Sequence, residues 1–279
     1  MEIHPFYRIH HPTDFSQGSQ TAFEHALRLA LNMRGSLRIV HVDHEEDPAW
    51  DEFPGVRHTL ERWGILESGS AKSDVAALGL RVQKFFMASS SAEKALVKDI
   101  VRKESDLVVM ATHARQGISR LLHLSIFKQV LRATKRPILV VPHGVPGFIE
   151  PETGVGELKR ILVPVSPEVK PQRAVKLVYQ FLETIQAEGV EGRFLYVGEP
   201  GDAPALQYRD NDRVKWRYVT KTGDVVHTIS EEIATYHPQL VVMLERGRNS
   251  VMDYLIPGKL ERLAGESECP ILVQNVAKE

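Results

Sequence analysis

Five histidines stand where metal or acid–base chemistry would need them. His10 and His11 close the first apolar run, His41 and His44 flank the end of the second, and His113 follows the fourth. With Asp14 they form a donor set of the kind that holds zinc through three protein ligands and one open position. Side chains alternate across a strand, so only one of His10 and His11 can face such a site. Arg115, Arg120, Lys128, Arg132, Lys135 and Arg136 crowd one segment. At helical spacing they read as a solvated face, with Arg115 and Arg120 near enough to a strand end to meet a phosphate. The chain has no GxxxxGK[ST], no GxSxG and no HExxH, which are the signatures of phosphate-loop, serine-hydrolase and zinc-protease chemistry. The single cysteine, Cys269, excludes an internal disulfide and a paired-cysteine metal knuckle. It precedes Pro270 at the start of an apolar run and reads as a core thiol. These residues favour binding over catalysis.

The elements that must position these groups occur twice. LVVM stands at 107–110 and 240–243, and PILV at 137–140 and 270–273, both pairs 133 residues apart. Upstream, RIHHPTDFS (8–16) matches RILVPVSPE (160–168) at an offset of 152, and LRIVHV (37–42) matches GRFLYV (192–197) at 155. A shared offset across separate motifs marks an internal repeat. The fall from 155 to 133 places 22 extra residues in the first copy, within 43–80. That insert carries Trp50, Phe53, Leu60 and Trp63 and reads as a helix packed on its own domain. The Gly-, Pro- and Glu-rich stretch at 144–157 reads as a linker. Two domains follow, at 1–143 and 158–279.

In each copy short β-branched runs alternate with helical spacing. The first copy predicts strands at Phe6–His10, 37–42, 81–88, 107–111 and 137–142. Helices are predicted after Asp14, at Ser91–Lys103 and at Ile118–Ala133. Strands separated by helices imply a parallel, doubly wound sheet. Ligands bind such sheets beyond the carboxyl ends of the strands, where the strand order switches.

The motifs LVVMATHARQGISRLLHLSIFKQVLRATKRPILVVP, PTDFS after strand one and HV closing strand two resemble the universal stress protein family. LVVMLERGRNSVMDYLIPGKLERLAGESECPILV repeats the plan in weaker form. The resemblance spans nearly the whole chain outside the insert and linker and identifies it as a tandem member. It implies two α/β domains of adenine-nucleotide-alpha-hydrolase (Rossmann-like) type, each a five-stranded parallel sheet with flanking helices. In the ATP-binding branch, strand four ends in Gly-x2-Gly-x9-Gly-Ser/Thr, whose bare backbone amides and hydroxyl hold phosphate at a helix N-terminus. Here the first copy has Ala111, Ala114, Leu124 and Ser125 at those positions, with His113 and Arg115 in the same turn. The second copy has Leu244, Gly247, Pro257 and Gly258, and a one-residue shift would make Gly258 the last glycine. Each hydrogen bond to a charged group contributes roughly 1.5–3 kcal/mol, so losing two weakens binding by about 10² to 10⁴. The adenosine end is better kept. Pro12 and Asp14 match the family's PTD and Val42 its strand-two position, whereas Ser166 replaces the acid beside Pro164. Asp14 also reads as a helix N-cap.

The resemblance implies ATP or AMP as ligand, and the eroded glycines imply a non-enzymatic regulatory binding protein of the stress response. An adenine-nucleotide sensor, with or without slow hydrolysis, and a zinc site are the alternatives. A net charge of -1 gives no global pull toward nucleic acid or anionic membrane. No apolar run reaches the ~20 residues of a membrane span, and the first residues lack a signal-peptide core. A cytoplasmic protein is expected. Family members pair through their last strands, so PILVVP and PILVQN are expected to pair within one chain, and a homodimer is a further expectation.

Overall fold

The structure, a computed structural model, describes residues 3–43, 53–112, 118–246 and 269–276. Among the described residues ten strands form one sheet. The first half supplies β1 (Arg8–Pro12), β2 (Ser36–Asp43), β3 (Arg81–Ala88), β4 (Leu107–Thr112) and β5 (Ile138–Pro142). The second supplies β6 (Arg160–Val165), β7 (Val190–Val197), β8 (Val214–Lys221), β9 (Leu240–Arg246) and β10 (Ile271–Val276). The order is β3-β2-β1-β4-β5-β10-β9-β6-β7-β8. Each half is a parallel sheet that switches direction between its first and fourth strands. At the centre β5 and β10 pair antiparallel, with Val140 opposite Ile271.

Helices cover both faces, as a sheet with apolar residues on both sides requires. One face carries α1 (Gln17–Asn32), α2 (Val56–Arg62) and α6 (Gln172–Ile185), packed through residues such as Phe23, Leu60 and Phe181. The other carries α4 (Ala92–Arg102), α5 (Ile118–Thr134) and α7 (Val225–Tyr236), packed through Ile100, Phe127 and Ile229. The short α3 (Lys72–Ala77) has no buried residue. Side chains cap the helix starts where the sequence offers them: Ser16 for α1, Ser91 for α4 and Asp224 for α7.

The first strand starts two residues later than its apolar pattern suggests. The Asp106 carboxylate accepts hydrogen bonds from the Tyr7 and Arg8 backbone N–H groups. The N–H of Phe6 donates instead to Thr184 Oγ1 of the second half, at 2.9 Å. Phe6 therefore belongs to the seam between the halves. There the Asn32 amide donates to Ile185 O at 2.9 Å and Gln186 Nε2 to Asn32 O at 3.1 Å, joining the carboxyl ends of α1 and α6.

The insert packs on the first half. Phe53, Val56, Leu60 and Trp63 are buried, Arg62 pairs with buried Glu24 of α1 at 2.5 Å, and Trp63 Nε1–H donates to Pro151 O at 2.9 Å. Trp50 lies outside the described residues. The stretch expected as a linker is also packed. Phe148 and Ile149 are buried, and Ile149 bridges to Gly156. Its glycines serve tight turns with positive φ at Gly144, Gly147 and Gly154, the conformation that glycine supplies without steric cost.

Candidate functional site

At the switch point of the first half the chain passes from β1 to α1 through Thr13–Ser16. Thr13 N–H donates to Val40 O at 2.9 Å, and His41 Nδ1–H donates to Thr13 O at 2.8 Å, locking this turn to the end of β2. Asp14 does not cap α1; Ser16 does. The Asp14 Oδ1 accepts from Ser16 Oγ and Ser19 Oγ, both at 2.7 Å, and from Ser16 N–H at 3.1 Å. The carboxylate thus braces the cap from outside the helix. Phe15 takes a left-handed φ of 61°, which is costly for a bulky residue. Its ring stacks on His41 with centroids 4.1 Å apart and meets Phe53 of the insert edge-on at 5.1 Å.

These elements enclose a cleft of about 120 Å³. Pro12, Thr13, Asp14 and Ser19 form one wall, and His41 and Val42 a second. Met110 and Ala111 of β4 form the floor, while Leu96 and Ile126 come from the helices beyond. Four of the expected site residues, Pro12, Asp14, Val42 and Ala111, therefore meet around one opening. His113, Ala114, Arg115, Gly247 and Gly258 lie outside the described residues, as does the side chain of Ser125. Ser19 and Phe15 were not anticipated. The spacing Asp14, Ser16, Ser19 was the legible signal for the first; nothing local announces the stacking of Phe15.

The histidines divide differently from the zinc expectation. His10 is fully buried, and its Nε2–H donates to Asp99 Oδ2 of α4 at 3.0 Å. His11 is fully buried on the opposite face near Phe23, with Nδ1–H donating to Val109 O at 2.9 Å. Neither lines the cleft. Among the described residues no group of three or more His, Cys, Asp or Glu is placed to hold a metal ion, and His44 and His113 lie outside them. Burial holds His11 down to about 4, well below its ordinary 6.5, so it is neutral. Burial also lowers His10. For Asp99, burial opposes ionisation, but hydrogen bonds from His10 and Arg38 outweigh it and hold the carboxyl below the usual range. The group is an ionised Asp99 paired with Arg38, at 2.7 and 2.9 Å, with His10 as a neutral donor. The second half repeats it: Arg193 of β7 and Lys221 of β8 pair with buried Glu232 of α7. Arg38 and Arg193 are 155 residues apart, and Asp99 and Glu232 133 apart, so the repeat offsets extend to a strand–helix ion pair.

The family profile described as "Universal stress protein family" matches residues 5–142 and 202–274. The chain belongs to the universal stress protein family. A curated relative of this universal stress protein is universal stress protein MJ0531 of Methanocaldococcus jannaschii, 25% identical over 134 residues, covering 47% of this chain and 78% of the relative. The crystal structure of a universal stress protein from Archaeoglobus fulgidus aligns with 97% of each chain covered, a TM-score of 0.62 and 15% identity. That of a functionally unknown protein, PA1789, from Pseudomonas aeruginosa aligns over 97% of this chain and 92% of its own, with a TM-score of 0.62 and 12% identity. These two likenesses show the fold of the whole tandem chain. No helix among the described residues is long and apolar enough to cross a membrane.

Proposed function

We propose that this tandem universal stress protein is a non-enzymatic regulatory binding protein whose first-half cleft accepts an adenosine-like group and gains little from a triphosphate. The observation that carries this reading is the make-up of the cleft. Its adenosine-side elements, Pro12, Asp14 and Val42, meet at one opening. On the phosphate side, strand four carries Ala111 one residue before its end, where the family motif has glycine, beside Met110, Leu96 and Ile126. Among the described residues this wall offers a triphosphate neither donors nor charge, and desolvating phosphate against apolar side chains is costly.

Calorimetric titration of the purified chain with ATP, AMP and adenosine tests this. The three are expected to bind weakly and within a few-fold of one another, and mass spectrometry of the native protein is expected to show no co-purified nucleotide. Micromolar binding of ATP, abolished by Asp14→Ala and at least a hundredfold tighter than adenosine, would overturn the reading in favour of an ATP sensor.

A further inference from the structure

The two halves treat one arginine in opposite ways. Arg8, at the start of β1, is tied to the residues that follow α4: its guanidinium pairs with Glu104 at 2.8 Å and with Asp106 at 2.7 Å. The offsets of 152 and 133 carry these three residues onto Arg160, His237 and Gln239. The backbone arrangement is kept. Gln239 Oε1 accepts from the Lys159 and Arg160 N–H groups at 3.2 and 2.7 Å, as the Asp106 carboxylate does from Tyr7 and Arg8. Glu104 and His237 share a φ of 49°. Both carboxylates are gone.

Without that fork of acids, the Arg160 guanidinium lies over the Tyr236 ring, 5.8 Å from its centroid, and Arg193 lies over the same ring at 3.7 Å. The strand register extends this group to the edge of the sheet. Glu191 and then Lys215 stand beside Arg160, and Arg217 stands beside Arg193, where Gln83 stands beside Arg38 in the first half. Arg193 shares Glu232 with Lys221. Among the described residues no carboxylate pairs with Arg160, Lys215 or Arg217; Glu191, between two of them in register, forms no ion pair either. Lys215 and Arg217 are exposed and Arg160 is half-buried. Like charges gathered on one face repel, and an anion from outside relieves them. Arg160 and Lys215 start two strands apart, about 10 Å, so separate carboxylates along an extended chain suit them better than one small anion.

We infer that the face formed by Arg160, Lys215 and Arg217 docks an acidic segment of a partner polypeptide, whose carboxylates take the part that Glu104 and Asp106 play against Arg8. The face is separate from the first-half cleft, so its failure would leave the reading of that cleft intact. The test is fluorescence anisotropy of a labelled hexaglutamate peptide titrated with the full chain at low ionic strength. Saturable binding is expected, weakened about fivefold or more in Arg160→Gln/Arg217→Gln. Lys98→Gln/Lys103→Gln, which removes the same charge from exposed positions of the first half, should leave it unaltered. His237→Glu/Gln239→Asp, which restores the two acids of the first half, should abolish binding in a folded chain. Absence of saturable binding, equal loss in the lysine and arginine variants, binding retained in His237→Glu/Gln239→Asp, or inorganic tripolyphosphate bound more tightly than the peptide would overturn the assignment.

Discussion

Two buried histidines make stability depend on pH. Burial holds both His11 and His25 near 4, whereas an unfolded chain protonates them near 6.5. Their contribution is complete above about pH 6.5 and is lost as pH falls toward 4, because only the unfolded state takes up the proton. Each is worth up to about 1.4 kcal/mol per pH unit in that window. Thermal melts across it should show a steady fall, and His25→Gln should make the slope shallower without abolishing it, because His10 and His11 stay buried; a level profile would contradict the burial argument. His25 Nδ1–H donates to Thr21 O at 2.8 Å and its Nε2 accepts from Phe148, so the neutral ring is satisfied on both sides. Its neighbour Gly147 has a φ of +77°, and a Cβ there would lie 2.3 Å from the imidazole. Gly147→Ala is expected to cost about 3 kcal/mol by denaturant titration. Gly144→Ala, with a φ of +79° and open space around it, should cost about 1 kcal/mol, the backbone share alone. None of this was legible in the sequence. The partner of His25 is 123 residues away, and glycine-rich composition reads as slack chain where it is a fitted turn.

Among elements, the repeated ion pair ties a strand to a helix. Arg38 and Asp99 are both nearly buried, at 11% and 8% exposure, so removing one leaves a charge without compensation. Asp99→Ala should destabilise by about 3–5 kcal/mol. Adding Arg38→Met should recover much of that, because an apolar pair of similar volume replaces the charges without a desolvation penalty. A double-mutant cycle by chemical denaturation checks the sign; a double variant less stable than Asp99→Ala would refute it. Strands and helices were legible here because each is a short apolar run or a stripe, and the repeat supplied a second copy of nearly every one. The start of β1 was not, since Asp106, far along the chain, decides where pairing begins. Asp14 was legible as a helix-start residue but not as the brace of a cap made by Ser16.

For the whole molecule, the joint at β5 and β10 makes ten strands one sheet. The halves also share α1–α6 contacts and the Phe6–Thr184 hydrogen bond. They are expected to melt in a single calorimetric transition, with two resolved transitions arguing against coupling. Val140, buried and paired with both Met110 and Ile271, cannot be replaced by proline without losing a ladder hydrogen bond and straining the strand. Val140→Pro should expand or unfold the chain, and an unchanged radius of gyration by small-angle scattering would speak against the joint.

The central joint also has a consequence for biosynthesis. The strand that covers the margin of β5 is made long after it, so a nascent first half leaves the ribosome with a row of amides and carbonyls awaiting a mate more than a hundred residues downstream. Until then it presents the adhesive rim that misassembles most readily. Truncation anywhere before Ile271 should therefore yield a product that clumps or borrows a strand from another copy.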